Sequence, residues 1–235
     1  MTEQNMKFKE KKIKGMRKTI AENMAYSSRE SAAITQTRTA DVTELIDIRK
    51  ARKEEYNNKG IDMPSINDMV IKAAALALRE HPDLNSTFQD NIIKTYEDIN
   101  ISMAVALPNG LITPVIRNAD KLSLHEISIK TKLAADKART GGLTADDITG
   151  GTFTITNVGM VKVETATPII NSPQVAILAA GTIVPRLERI EGEIVERQRM
   201  FLSLTVDHRI IDGYPAALYL NTVCDILEKP EQLWV

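Results

Sequence analysis

Residues 200–213, MFLSLTVDHRIIDG, decide how the rest of the chain is read. Met200, Leu202, Leu204 and Val206 alternate with Phe201, Ser203 and Thr205, the period of a strand with one apolar face. The strand runs directly into His208 and an Asp212-Gly213 pair that reads as a tight turn. A helix is expected from about Pro215 to Leu227, with proline in its first turn. Upstream, PQVAILAAGTIV is a second apolar strand, and IEGEIV reads as the hairpin joining the two. GTFTITNV, from Gly151, is a Thr-rich strand before them. Residues 84–116 are mostly β in character, with INISMAVAL and ITPVI flanking a PNG turn.

The first half of the chain is richer in helix. Ile13, Met16, Ile20 and Met24 recur at helical spacing, and residues 34–40 read as a strand. Capping-box pairs are expected at Asp41/Glu44 and Ser123/Glu126, and Ser65 and Asp68 are read as the start of an apolar helix. The run MVIKAAALALRE is apolar nearly all round, so it belongs deep in the protein, and Pro82 stops it. Strands separated by helices, with strands clustered late, imply an α/β (α+β) two-layer sandwich of one mixed sheet covered by helices.

Composition narrows the function classes. The 235 residues are 43% hydrophobic and 26% charged, an ordinary globular balance. Formal net charge is −1, so no global basic field points to nucleic acid or to a membrane surface. Aromatics are only 4%, a poor supply for base stacking. The apolar stretch 175–184 is too short to span a bilayer, and no apolar signal core opens the chain. One cysteine, Cys224, excludes an internal disulfide framework and a cysteine-based zinc site. A cytoplasmic protein, or one of an organelle matrix in a eukaryote, is the expectation. The first 18 residues hold seven Lys or Arg against two Glu. Residues 1–12 are read as a linker remnant or flexible basic leader, and residues 13–235 as one catalytic domain.

Of the three histidines, His81 is expected at a helix end and His125 at a solvated first turn. His208, fixed at the end of a buried strand, is mounted as a general base should be. Chance gives His-x-x-x-Asp-Gly roughly once in a hundred chains with three histidines. In GGTFTITNVG, residues 150–159, Phe153 and Ile155 face one way and Thr152, Thr154 and Thr156 the other. That hydroxyl row is either a solvated edge or the source of a donor to a developing oxyanion, with Thr156 at the strand end.

DHRIIDG and GGTFTITNVGM together resemble the catalytic domain of the dihydrolipoamide acyltransferase (E2) component of 2-oxo acid dehydrogenase complexes. GMRKTIAENM, NGLITPVIRNADK, NSPQVAILAAG and KPEQLW agree and occur in order, so the resemblance runs from about Lys12 onward. It implies a chloramphenicol-acetyltransferase-like fold. It makes His208 the base that takes the proton of the thiol of coenzyme A or dihydrolipoamide, so that the thiolate attacks the thioester with no acyl-enzyme. Thr156 stands where the family usually has Ser, as oxyanion donor. Asp212 is an orienting residue, with Arg17 a candidate partner. Lys59, Asn157 and Gly181 fall at coenzyme A positions. The resemblance further implies lipoamide carried on a separate domain, no metal, and E1 and E3 partners bound through domains absent from this sequence. It implies a homotrimer with each site between two subunits, built into a larger shell. The apolar residues 233–235 are read as the knob that enters a neighbouring trimer. The rival readings are a non-catalytic shell-forming scaffold and an O-acetyltransferase of the same fold. The Asp136-Lys137-Ala138 triplet resembles a lipoylation site but lies in a helical stretch, so Lys137 is read as an ordinary helix lysine.

Overall fold

A computed structural model describes residues 7–108 and 110–234. Its centre is a six-stranded mixed sheet in the order β1-β10-β9-β8-β4-β7. The strands are β1 (Ala33–Asp41), β4 (Ile101–Met103), β7 (Val115–Ile116), β8 (Phe153–Asn157), β9 (Ala176–Ile190) and β10 (Glu193–Asp207). β4, β8 and β9 run parallel, and the other pairings are antiparallel. Two small ribbons, β2 (Ser86–Gln89) with β3 (Ile92–Thr95) and β5 (Val105–Leu107) with β6 (Gly110–Ile112), stand apart from it. The helices are α1 (Met16–Glu30), α2 (Thr43–Asn58), α3 (Ile66–Glu80), α4 (Leu124–Thr140), the short α5 (Ala145–Ile148) and α6 (Gly213–Glu228). The expected mixed α/β sandwich is thus the observed one, with two ribbons added.

The sheet buries Met200, Leu202, Leu204 and Val206, with α2 and α6 packed on β10 and α3 packed against α6. α3 is buried without a break from Asp68 to Ala75, and its start is fixed by the full Ser65/Asp68 box. Burying that helix requires a partner for each polar group. Asp68 accepts from Thr131 Oγ1 at 2.6 Å, and Lys72 Nζ donates to the carbonyls of Asp120 and Leu122 at 2.8 and 2.6 Å. Ser123 and Glu126 likewise cap α4.

The Asp41/Glu44 box does not form. The Asp41 carboxylate instead accepts from Thr43 N and Thr43 Oγ1, and Val42 opens α2. α1 also departs from the expectation. Ile13 precedes it, Ile13 and Met16 are exposed, and of its own residues only Ser27 is buried. Ser27 Oγ donates to Ile170 O at 2.6 Å, which ties α1 to the segment between β8 and β9. The C-terminus departs as well. Leu233 is fully buried in its own chain, and Trp234 stacks edge-on against Tyr56 with the Arg52 guanidinium 4.7 Å from its ring. An apolar pair that close to a core groove lowers its free energy by entering it, so the described part of the expected knob is tucked in. Val235 and residues 1–6 lie outside the described residues.

Candidate active site

β10 carries His208 out of the sheet, and a buried carboxylate fixes the turn that holds it. Asp207 lies on the same strand face as Ser203 and Thr205, whose hydroxyls pair with Thr37 and Thr35 across to β1. The Asp207 carboxylate accepts from Ala32 N, from Arg209 N and, with both oxygens, from the Arg209 guanidinium, the shortest contact being 2.6 Å. Burial alone would raise this carboxyl. The hydrogen bonds from the Arg209 side chain and backbone and from Ala32 outweigh it and hold it below the usual carboxylate range. The Asp207 carbonyl accepts from both Ile210 N and Ile211 N, and His208 N donates to Ala32 O at 3.0 Å. Arg209 is further held against the Phe88 ring, 4.9 Å from its centroid. The imidazole is therefore the free end of a fixed backbone, with 43% of its side chain exposed.

Asp212 stands 3.8 Å from His208 Nδ1, beyond hydrogen-bond length, and is exposed. It is the extended residue before α6 and makes no side-chain cap bond. Gly213 then begins the helix and is not among the glycines with positive φ. The expected tight Asp-Gly turn is thus a strand–turn–helix passage in which the glycine meets no conformational demand. Arg17, the candidate partner of Asp212, lies on α1 beside Gly110 of the β5–β6 ribbon.

The Thr-rich strand is not a solvated edge. β8 sits between β4 and β9. Thr152 Oγ1 donates to Asn100 O at 3.2 Å and accepts from Asn100 N at 3.0 Å. Thr154 Oγ1 donates to Gln174 Oε1 at 2.5 Å, and Gln174 Nε2 reaches Gly151 O at 2.9 Å. Both threonines are buried and structurally committed. Thr156, half-buried, has no hydroxyl partner among the described residues.

Thr156 and His208 do not meet within the chain. Thr156 pairs with Ala179 on β9, whereas Val206 pairs with Ala176 and Asp207 N reaches Val175 O. With about 3.3 Å per residue and about 4.8 Å between strands, the two side chains stand about 15 Å apart along the strands and about 10 Å across them.

Asn157 lies beside Thr156. Its Oδ1 accepts from Gly159 N at 2.9 Å and its Nδ2 donates to Asn67 at the start of α3, so both ends of the amide are engaged. Gly181 sits where β9 bulges against β10, opposite Phe201. A Cβ there would lie 1.9 Å from Glu164 O, so the glycine is required by a crossing backbone whether or not a ligand is near. Lys59 ends α2 and is exposed, its Nζ 2.6 Å from Glu55. That contact holds the Glu55 carboxyl below its ordinary value.

The remaining candidates are structural. His81 ends α3 and contacts Thr222 Oγ1 at 2.9 Å. His125 is half-buried rather than solvated, its Nδ1 lacking a partner among the described residues. Lys137 pairs with Asp147 in the last turn of α4, as a helix lysine does. Cys224 is buried in α6 and its thiol is pushed up to about 12 by burial, which removes it as a nucleophile near neutral pH. The residues that sequence reasoning missed are Asp207 and Arg209. The signal was the charge at the end of the Ser203, Thr205, Asp207 face.

No helix among the described residues is long and apolar enough to cross a membrane. A family profile described as 2-oxoacid dehydrogenases acyltransferase (catalytic domain) matches residues 5–235. The dihydrolipoyllysine-residue acetyltransferase component of the pyruvate dehydrogenase complex of Mycoplasma capricolum is 43% identical over 225 residues, 95% of this chain and 51% of that protein. The mitochondrial dihydrolipoyllysine-residue succinyltransferase component of the 2-oxoglutarate dehydrogenase complex of Saccharomyces cerevisiae is 39% identical, over 94% of this chain and 48% of that protein. The chain thus spans about half the length of these curated relatives. Among solved structures, Azotobacter vinelandii dihydrolipoamide acetyltransferase superposes with a TM-score of 0.92 at 31% identity, covering 99% of this chain and 96% of that one. That structure was studied for the roles of a serine, a histidine and an asparagine in its catalytic mechanism, the last two spaced as His208 and Asp212 are. The cubic core of a pyruvate dehydrogenase multienzyme complex gives the same TM-score, identity and coverage. Chloramphenicol acetyltransferase, 18% identical with a TM-score of 0.54 over 88% of this chain and 94% of that one, shares the fold alone. On these grounds the chain belongs to the 2-oxoacid dehydrogenase acyltransferase family and matches its catalytic domain.

Proposed function

We propose that this chain is the catalytic core of an acyltransferase that moves an acyl group between dihydrolipoamide and coenzyme A. The observation that carries the reading is the mounting of His208. The backbone on either side is tied down, Nδ1 is turned toward Asp212, and Nε2 is left to act. A base held this way takes a thiol proton without reorganising. His208 Nε2 removes the proton from one thiol. The sulfur uses its freed electron pair to bond the thioester carbonyl carbon, and the C=O pair moves onto oxygen. Thr156 Oγ1 donates to that oxyanion. The intermediate then expels the other sulfur, which takes the proton back from His208. Asp212 orients the ring electrostatically, being too far for a hydrogen bond.

Donor and base must share one tetrahedral centre, which places them within about 9 Å of each other. The wider separation inside one chain supports a site in which a second copy brings Thr156 to His208. We place the chain in a homotrimer that builds a larger shell, in keeping with the cubic core formed by its 31% identical neighbour. Lys59 is the candidate contact for a phosphate of coenzyme A, which would displace Glu55. Asn157 and Gly181 are the candidate positions beside its pantetheine arm. Lipoamide would come on a separate domain, and E1 and E3 would bind through domains outside this sequence.

The test is transfer from acetyl-, isobutyryl- and succinyl-coenzyme A to free dihydrolipoamide, with His208→Ala alongside. Turnover falling by roughly 10²–10⁴-fold in the variant is expected of a lost general base. Near-normal turnover in His208→Ala would sink the assignment.

A further inference from the structure

Gly213 is a glycine without a backbone reason. It occupies the first position of α6, its φ is not positive, and glycine in a helix is less favourable than alanine. What distinguishes the position is what a side chain would meet. A Cβ built on Gly213 has only two heavy atoms within 4 Å outside its own neighbourhood: Gln36 Nε2 at 3.3 Å and His208 Nε2 at 4.0 Å. The vacant methyl position is thus the gap between an amide on β1 and the imidazole nitrogen that does not face Asp212.

Gln36 is not an ordinary strand residue either. It pairs with Leu204 in the ladder, and its Nε2 donates to Gly213 O at 2.9 Å. Its Oε1 is buried and has no partner among the described residues. An unsatisfied buried acceptor is costly, so the amide orientation is set by the need to hold the Gly213 carbonyl. That bond pins the start of α6 to the edge strand, and with it the far end of the passage whose near end the Asp207 carboxylate holds.

We propose that Gln36 and Gly213 are positioning residues for His208. Gln36 fixes the exit of the His208 turn, and the missing Cβ at 213 keeps open the flank of Nε2 by which the substrate thiol reaches the base. The inference rests on His208 being that base. A sulfur giving up its proton to Nε2 must come within hydrogen-bond reach of it. A methyl 4.0 Å from the same nitrogen fills part of that approach, since carbon-sized atoms do not pack closer than about 3.5–4.0 Å. The same methyl presses on the Gln36 amide and loosens its bond to the Gly213 carbonyl.

The experiment compares the full 235-residue chain with Gly213→Ala, Gln36→Leu, Gln36→Glu and His208→Ala in transfer from acetyl-coenzyme A to dihydrolipoamide. Gly213→Ala is expected to lower kcat by about tenfold or more, with KM for acetyl-coenzyme A unchanged and Tm no lower than that of the parent. Gln36→Leu keeps the volume and loses the donor, so kcat falls again with KM for the acyl donor unmoved. Gln36→Glu puts a carboxylate near the imidazole, and the base limb of the pH profile of kcat/KM moves to higher pH. That shift reports the proximity of residue 36 to the imidazole; a purely structural role would leave kcat of Gln36→Leu within about twofold of the parent. Gly213→Ala turning over within about twofold of the parent, while His208→Ala is inactive, overturns this inference alone. His208→Ala retaining turnover overturns the base assignment and this inference with it. If Gly213→Ala loses Tm, Gln36→Leu decides: a lowered kcat with KM unmoved sustains the proposal, and kcat within about twofold of the parent overturns it.

Discussion

Co-assembling two defective chains tests whether one active site draws on two copies. One chain carries His208→Ala, the other Thr156→Val, with different affinity tags. By the strand register, the two residues of a single chain are about 18 Å apart, twice what one tetrahedral centre tolerates. Assembled separately, each variant lacks one essential group at every site. Loss of the base costs roughly 10²–10⁴-fold. Loss of one oxyanion donor costs roughly 10²–10³-fold. Both preparations therefore sit at or below about 1% of parent turnover. In randomly mixed trimers each site takes His208 from one chain and Thr156 from its neighbour. A trimer holding both variants has one interface in three that joins a good histidine to a good threonine, so roughly a third of the parent activity returns in the purified hybrids. The assay is dihydrolipoamide acetylation after co-expression and tandem-tag purification of the hybrids. Hybrids no more active than the average of the separate variants would refute the reasoning, because a site held within one chain cannot be rescued by mixing.

The remaining expectations concern what holds the site and the chain together. Asp207→Asn removes the ion pair with Arg209, itself 41% exposed, and should cost about 1–2 kcal/mol in urea unfolding together with a loss of kcat. Because the folded carboxyl titrates below its unfolded value, its stabilisation is present above the ordinary carboxylate pKa of about 3.9 and is lost as pH falls through the folded value. The stability gap between parent and Asp207→Asn should therefore narrow in acid and stay constant near neutrality; a gap that widens in acid contradicts the assignment. Gly181→Ala places a methyl against the Glu164 carbonyl and should lower stability by about 1–3 kcal/mol or more; an unchanged Tm would show that the crossing segment yields freely. Leu233→Ala should cost about 2–5 kcal/mol as a core truncation. A negligible cost in dilute protein would return residues 233–235 to the role of an exposed knob.

Where local chemistry fixes an element, the sequence made it legible. The helix start at Ser65 and Asp68, the Ser123/Glu126 box and the alternation from Met200 to Val206 appear in the structure as read. Local signals failed where a nearer or more distant group competed. Thr43 took the Asp41 carboxylate from Glu44. The stripe through Ile13 and Met16 is periodic without burial in its own chain. Three threonines of one strand face looked alike in sequence. The Gln174 and Asn100 contacts, 20 and 52 residues away, separate Thr152 and Thr154 from Thr156. Of the candidate site, the mounting of His208 at the end of a buried strand was legible from the alternation before it. The Asp207–Arg209 clamp was not, because its meaning depends on Ala32, 175 residues distant in the chain.

The β9–β10 hairpin has a further consequence, for how the molecule breathes. β1 stops pairing at Arg199 and β8 at Ala180, so residues 186–197 hold chiefly to one another. Leu187 and Ile194 on this stretch are about three-quarters exposed. A two-stranded ribbon alone is marginal in water. Amide protons near its tip therefore exchange through small local openings, while those from Leu202 to Val206 wait for unfolding of the whole domain. A single strand thus spans the full range of opening energies, and His208 stands at its slow end. A protease that nicks the Glu191-Gly192 tip separates two strands that remain paired through the sheet, and the histidine keeps its place in the nicked molecule.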